Sequence, residues 1–487
     1  MASVRRALLL STSDRYVALA ANFLTTAIVS RLLTPDEIGV SVIALAVIGI
    51  VLILRDFATT NFLIQRPSLS VPEIRGAFTL QLTLTLVLVA GLMAAAPRLA
   101  EAYQEPQTVV YFAIVSLAIV IELVPLQVVA LMRRELRFGT AAVLNMTTVL
   151  VTSATTLVLA SLGFSFMSFA WAWLAASVTT ALVALVIQRP LWIFLPTFRH
   201  WRAMVTFGGY NGLIGLGFKL DMFPLLILGR LYSHEASALL SRGNMICQIP
   251  EKIALDGVMN VLLPTFSASV RDGHDLKQPY LQAIAFISAV QWPALLLLAL
   301  LSYPVIEIIL GPQWHDVVPV VRILAVATLF SFVYWLNYLV SMAIGAIRAM
   351  AILAGLLFPV LTLLLAASAY LGGLFGVACC MTVVVPVQAA VTIVPVINRV
   401  GIGWSELAAA VWRSGLTAMA TVALPLAVFH AEHPHFAFSI MQGVVAGVLG
   451  FIGWLAALWL TNHPLFAELT RFGLPRLRPA VTRQQVV

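Results

Sequence analysis

The sequence predicts an all-α integral membrane protein of about 14 transmembrane helices, and three observations carry that expectation. Hydrophobic residues fill 61% of the 487 positions and charged residues 10%, with a mean hydropathy of +1.01. A chain with one charge in ten cannot cover itself in water; it fits a chain whose solvent is mostly lipid. About fourteen separate runs reach the ~20 mainly apolar residues that a spanning helix needs. Finally, the basic residues sit at the ends of these runs, which argues against a nucleic-acid-binding patch despite a net charge of +8.

The first six spans are expected at approximately 11–33, 37–63, 74–96, 107–132, 140–162 and 166–188. The next six are expected at approximately 205–232, 236–266, 278–302, 317–345, 350–371 and 374–398. A last pair covers about 406–429 and 439–461, and the basic tail after it is expected to be disordered. Arg5 and Arg6 imitate the start of a signal peptide. However, Ser11–Arg15 breaks the apolar run after Leu10 and no small-residue cleavage site follows, so the first helix is expected to be retained. With the N-terminus in the cytoplasm, 19 of the 28 Lys and Arg residues fall on the cytoplasmic side, 4 on the opposite side and 5 within spans. That asymmetry predicts cytoplasmic N- and C-termini.

A short repeat organises the spans. Ser30-Arg31-Leu32-Leu33-Thr34-Pro35-Asp36-Glu37 closes the first, and Gly229-Arg230-Leu231-Tyr232-Ser233-His234-Glu235 closes the seventh. The same offset pairs Asn22 with Asp221 in mid-span. Six spans between the copies give both halves one orientation, as parallel repeats about an axis along the membrane normal, with the substrate path between them.

The stretch from Ser30 to Gly39 resembles the "R-L-L-T-P-x-E-x-G" signature of the polysaccharide transport family, the Wzx-type oligosaccharide flippases of the multidrug/oligosaccharidyl-lipid/polysaccharide (MOP) exporter superfamily. Asp56-Phe57-Ala58 with Leu63-Ile64-Gln65-Arg66 is similar to its "D-F-G … L-I-Q-R", Ala58 replacing the usual glycine. Leu220-Asp221, Leu228-Gly229, Pro250 and Leu263-Pro264-Thr265-Phe266-Ser267 are similar to its second-half pattern. The resemblance implies a MATE-like fold: a six-helix lobe over 1–190, a second over 199–400, two further helices over 401–465 and a basic cytoplasmic tail over 466–487. It also implies flipping of an undecaprenyl-diphosphate-linked oligosaccharide across a bacterial inner membrane, in company with polymerase and chain-length proteins of one pathway.

Ionisable groups within a bilayer cost ~2.5–3.5 kcal/mol each and normally face a wet cavity or a partner. Here they concentrate on spans one, two, seven and eight, with Glu122 on span four. Arg15, Arg55, Lys219, Arg242 and Lys252 are the candidates to bind a diphosphate, because guanidinium and ammonium groups replace its lost water with charge-assisted bonds. Related lipid II flippases carry basic residues on the first, second and eighth helices, as Arg15, Arg55 and Lys252 do here. Asp221, Glu122 and Asn22 are the candidates for proton or sodium coupling; the competing reading is that the acids neutralise nearby cations. Glu251 and Lys252 are adjacent, so they cannot face each other and need partners on other helices.

Neither a cofactor nor a metal is expected. The cysteines Cys247, Cys379 and Cys380 lie in apolar segments, no nucleotide-binding glycine loop occurs, and His430, His433 and His435 read as a solvated turn. Gly208, Gly209, Gly212, Gly215 and Gly217, with Pro224, mark span seven as a bending helix or a close packing surface, whereas Gly443 and Gly447 read as packing. Trp192 and Trp201 read as interface anchors. The competing functions are a membrane polysaccharide polymerase or ligase, a multidrug exporter of the same superfamily, and a non-transporting scaffold. Short outer loops argue against the polymerase, lysine and arginine against cationic cargo, and mid-membrane charge against the scaffold.

Overall fold

Among the described residues every regular element is a helix, and several begin on polar start signals that punctuate the apolar runs. A computed structural model of the chain describes residues 2–56, 70–135, 137–187, 191–197, 222–271, 275–429 and 438–473. Helix α1 covers Ala2–Leu32 and α2 covers Pro35–Asp56. Thr34 caps α2: Glu37 Oε2 accepts from the Thr34 backbone N–H at 2.8 Å and from its hydroxyl at 3.0 Å, while the Glu37 N–H donates to Thr34 Oγ1 at 3.3 Å. This is a reciprocal capping box with proline at the first helical position, where a missing N–H costs no bond. Ser70 and Glu73 repeat the device, with Pro72, at the start of α3 (Val71–Ala102).

There follow α4 (Thr108–Arg134), α5 (Phe138–Ser161), α6 (Met167–Ile187), α7 (Met222–Leu231) and α8 (His234–Arg271). Then come α9 (Lys277–Leu300), α10 (Ser302–Ile309), α11 (Val317–Ala327), α12 (Ser331–Ala343) and α13 (Ile347–Val400). The chain continues with α14 (Trp404–Phe429), α15 (Ile440–Leu460) and α16 (Pro464–Gly473). Every expected span has a helix over at least part of its range, and ten helices among the described residues are long and apolar enough to cross a membrane.

Four features refine the expected pattern. The tenth span is broken by a 3-10 turn over Thr328–Phe330, which separates α11 from α12. A short helix, α10, follows the ninth span. The tail expected to be disordered begins with α16, helical because it carries an apolar face (Leu465, Phe466, Leu469). The eleventh and twelfth spans run together as α13, two helices joined at Gly373. Its φ of 56° with ψ of −143° is a conformation that belongs to glycine, and a Cβ there would meet the Tyr232 ring at 3.0 Å.

The repeat offset reappears in the helix boundaries. α1 ends at Leu32 and α2 starts at Pro35; α7 ends at Leu231 and α8 starts at His234, each 199 residues later. Ser233, the counterpart of Thr34, accepts the Ala236 N–H at 3.0 Å and caps α8 in the same way.

Two compact units divide the chain. The first comprises residues 1–246, 305–327 and 345–392, and its core packs Ile48, Tyr111, Val115, Ile119 and Phe166 from α2, α4 and the turn before α6. The second comprises 247–304, 328–344 and 393–487. In it Gly443 is a packing residue, since a Cβ there would lie 2.8 Å from Pro304 Cγ, whereas one at Gly447 would make an ordinary contact with Leu301 Cδ1 at 3.7 Å.

A buried polar chain ties α9 and α14 to the turn before α16. Ser288 Oγ donates to Ser414 Oγ at 2.9 Å, which lies 3.2 Å from His463 Nε2. His463 Nδ1 accepts the Leu465 N–H at 3.1 Å, so the imidazole is neutral with its proton on Nε2. Burial, and then the Arg413 guanidinium, hold its pKa down to about 4. The unfolded chain therefore binds a proton at acidic pH that the folded chain refuses. This contribution to stability is complete above the ordinary histidine range near 6.5 and is lost as pH falls through about 4. The melting temperature in detergent should fall across that window, with a loss on the order of 2 kcal/mol. His463→Gln should flatten the slope; an unchanged slope would reject the assignment.

Candidate functional site

The residues of the signature stretch work first as helix-end chemistry. The last carbonyls of α1 lack intrahelical partners. Ser30 O accepts from Trp314 Nε1 at 2.7 Å and also from Gln313 Nε2, and Leu33 O accepts from Gln313 Nε2 at 2.9 Å. Arg31 reaches the other way, donating from Nη2 to Ile308 O at 2.6 Å and Glu307 O at 3.3 Å, so that a cation closes the negative end of α10.

The two repeat turns meet within the first unit. His234 Nδ1 lies 3.4 Å from Asp36 Oδ1, and its Nε2 lies 2.9 Å from Tyr103 O. Gly39 makes this approach possible, since a Cβ there would sit 2.0 Å from His234 O. Alongside, α2 and α7 touch through small residues: a Cβ at Gly229 would meet Ile43 Cδ1 at 2.3 Å, and one at Gly49 would meet Met222 Cε at 2.2 Å.

On this frame the charges take definite positions. Arg55, in the last turn of α2, is 3% exposed, and its Nη1 lies 3.4 Å from Glu122 Oε2 on α4. The structure therefore joins a cation assigned to diphosphate with an acid assigned to ion coupling. Between α4 and α3, Gln127 Nε2 donates to Gln81 Oε1, with both side chains buried.

Arg242 on α8 lies over the Trp314 ring, 5.8 Å from its centroid, and its Nη1 is 3.7 Å from Met245 Sδ. Its buried Nε has no hydrogen-bond acceptor among the described residues. In the second unit Lys252 is exposed on α8, and its neighbour Glu251 points elsewhere, to Ser331 Oγ. The two adjacent charges thus part company, as helix geometry requires.

Asn22 is exposed on α1. The Arg15 side chain lies outside the described residues, as do Lys219, Asp221, the glycines from Gly208 to Gly217, Trp201, and His430, His433 and His435. The motif stretch from Phe57 to Arg66 and the side chains of Asp56, Leu263, Pro264 and Thr265 are outside them too. Sequence reasoning missed Gln81, Gln127, Gln291 and Trp314. A glutamine inside an apolar run was the available signal, and a search confined to charge passed over it.

The sequence model of a family described as "Polysaccharide biosynthesis protein" matches residues 28–319, which include the capped turns, the Arg55–Glu122 pair and the Arg242–Trp314 stack. The chain is 26% identical over 310 residues to the succinoglycan biosynthesis transport protein ExoT of Rhizobium meliloti (strain 1021), covering 63% of this chain and 62% of that protein. It is 22% identical over 307 residues to the lipopolysaccharide biosynthesis protein WzxC of Escherichia coli (strain K12), covering 62% of each. The alignments thus span less than two thirds of these relatives' lengths.

Among solved structures, the lipid II flippase MurJ in an inward closed conformation superposes with a TM-score of 0.75 at 10% identity, over 95% of this chain and 100% of that one. An inward-facing multidrug transporter of the MATE family, MOP superfamily, gives 0.58 at 17% identity, over 81% and 98%. At such identities the likeness is one of fold. The chain is a multi-pass membrane protein that belongs to the polysaccharide biosynthesis protein family and has the helical fold of the MOP superfamily.

Proposed function

We propose that this protein is a flippase for a lipid-linked saccharide, working by alternating access in polysaccharide biosynthesis and not as an enzyme. The proposed cargo is an undecaprenyl-diphosphate-linked oligosaccharide moved from the cytoplasmic to the outer leaflet of a bacterial inner membrane. Both chain termini would be cytoplasmic, and a polymerase and chain-length proteins would act next. The observation that carries the reading is Arg242: a half-buried arginine on a membrane helix, seated on Trp314, whose buried Nε–H no described protein atom accepts. An anionic oxygen completes such a group, and the cost of keeping it in the membrane is recovered when cargo supplies that oxygen. Lys252, exposed on the same helix, and Arg55 offer further cationic contacts, joined in the proposal by Arg15 and Lys219. Glu122, Asp221 and Asn22 remain the proposed coupling groups, Glu122 acting through its pair with Arg55. Family membership supports the pathway, and the names of the two relatives concern succinoglycan biosynthesis and transport and lipopolysaccharide biosynthesis.

The test uses proteoliposomes holding the full chain and lipid-linked saccharide extracted from the producing cell. Saccharide sealed inside should become reactive to a membrane-impermeant lectin in the presence of the chain and stay protected in its absence. Protection identical with and without the chain would sink the proposal. Export of a lipophilic cation by the same vesicles, with the saccharide unmoved, would favour the multidrug reading.

A further inference from the structure

Beside the 3-10 turn that breaks the tenth span, one hydroxyl proton faces two acceptors. Ser331, the first residue of α12, offers one hydroxyl proton to two acceptors: Glu251 Oε2 on α8, and Thr328 O at 2.8 Å, the first carbonyl of the turn. Gln291 on α9 is fully buried and donates from Nε2 to Thr328 O at 3.2 Å and to Ser331 Oγ at 3.1 Å, while its Oε1 has no hydrogen-bond partner. Beside it Trp292 donates from Nε1 to Leu329 O at 2.8 Å, and its ring stands edge-on to Phe330 at 5.5 Å. All of these residues belong to the second unit.

Two arrangements satisfy this cluster, and they differ by one proton. With Glu251 ionised, the Ser331 hydroxyl serves the carboxylate, and Thr328 O accepts from the Gln291 amide. With Glu251 protonated, its O–H donates to Ser331 Oγ, the Ser331 hydroxyl turns to Thr328 O, and every donor named here has an acceptor. We propose that Glu251, Ser331 and the Thr328 carbonyl form a proton-binding site whose occupancy switches Ser331 between α8 and the break in the tenth span. No covalent bond is made or broken beyond the O–H bonds that exchange. The inference deepens the flippase reading, on which it rests for its purpose, by adding a coupling site the sequence did not suggest. Irregular backbone at membrane depth is the place where secondary transporters bind their coupling ion.

The groups around Glu251 leave a proton as the fitting ligand. Lys252 is its charged neighbour, on the same helix and exposed. From α9 the facing side chain is Gln291, whose NH₂ already points at the two oxygens that a metal cation would need, and from α12 it is Ser331. The other ionisable groups described on these two helices are Lys277, paired with Glu406 at 2.7 Å, Tyr280, which donates to Asn337, and Tyr334 and Tyr338.

Infrared difference spectra of the full chain in lipid, recorded between neutral and acidic buffer, test the site without any saccharide. A protonated-carboxyl C=O band should appear on acidification, vanish in Glu251→Gln, and move to higher frequency in Ser331→Ala, where the acid loses its acceptor. Trp292 fluorescence, isolated by subtracting the Trp292→Phe trace, should shift with the same pH midpoint. Should Glu251→Gln fail to fold, the Ser331→Ala shift decides alone. A band indifferent to both substitutions, or one driven by sodium at constant pH, would overturn the proposal. Neither result touches the lectin assay, so failure of this site and failure of the flippase reading remain separate outcomes.

Discussion

Replacing Arg55 with leucine is expected to abolish polysaccharide export and to lower the unfolding free energy by about 3 kcal/mol, the low end for one half of a buried ion pair. The reasoning starts from burial. Arg55 is 3% exposed and pairs with Glu122 at 3.4 Å. Removing the cation leaves a carboxylate facing a low-dielectric interior, although the Glu122 side chain keeps 32% of its surface exposed and with it some solvation.

Loss of export by that variant alone would be ambiguous, since a destabilised membrane protein is also depleted. The double variant Arg55→Leu, Glu122→Leu resolves it. Replacing both partners by apolar groups removes the orphaned charge and should restore most of the melting temperature. If either side chain takes part in transport, Arg55 at the diphosphate or Glu122 in coupling, export stays lost in the stable double variant, and Glu122→Leu beside an intact Arg55 tells the two apart. If the two charges exist only to neutralise each other, export returns with stability. Melting temperature in detergent and surface polymer in cells whose only copy carries the substitutions are the two measurements, and recovery of both would remove Arg55 from the cargo path.

Much of the helical frame was legible because its punctuation is chemical and local. Thr34-Pro35 with Glu37, and Ser70 with Pro72 and Glu73, write helix starts into the sequence, and the 199-residue offset carries the first to Ser233. Gly373 sits where the apolar period restarts between the eleventh and twelfth spans. The break at Thr328–Phe330 was not legible. It lies in an unbroken apolar run marked by a threonine and a serine, residues that equally well bond back to their own helix.

Charge is the signal the sequence gives for the candidate site, and it is silent on uncharged groups. Charge located Arg55, Glu122, Arg242 and Lys252, but not which groups would neutralise them. Gln291 and Gln81, uncharged and buried, carry no such signal, yet each fixes a bond between helices that no periodicity foretells. Arg31 looked like part of a family signature. Its bonds to Ile308 and Glu307 show a residue serving a helix end, a contact across more than 270 positions that spacing cannot encode.

Trp314→Ala is expected to be the most damaging single substitution in the first unit, costing about 3–5 kcal/mol, the range for deleting a large buried aromatic side chain. The ring is fully buried, its Nε1 holds Ser30 O at 2.7 Å, and the Arg242 guanidinium rests on its face at 5.8 Å. Trp314→Phe separates these roles. It keeps most of the apolar volume and a ring face while losing the N–H, so it should cost about 1 kcal/mol, softened because Gln313 still donates to Ser30 O. Arg242→Leu then asks what the stack is for. A guanidinium placed there for stability would take melting temperature and export down together when removed. One placed there to meet an anionic cargo has been carrying a desolvation cost, so its replacement by leucine should leave the melting temperature level or raise it while export fails. The second pattern is expected. A variant that melts early and still exports would return Arg242 to a structural role and remove the main cationic contact from the proposed path.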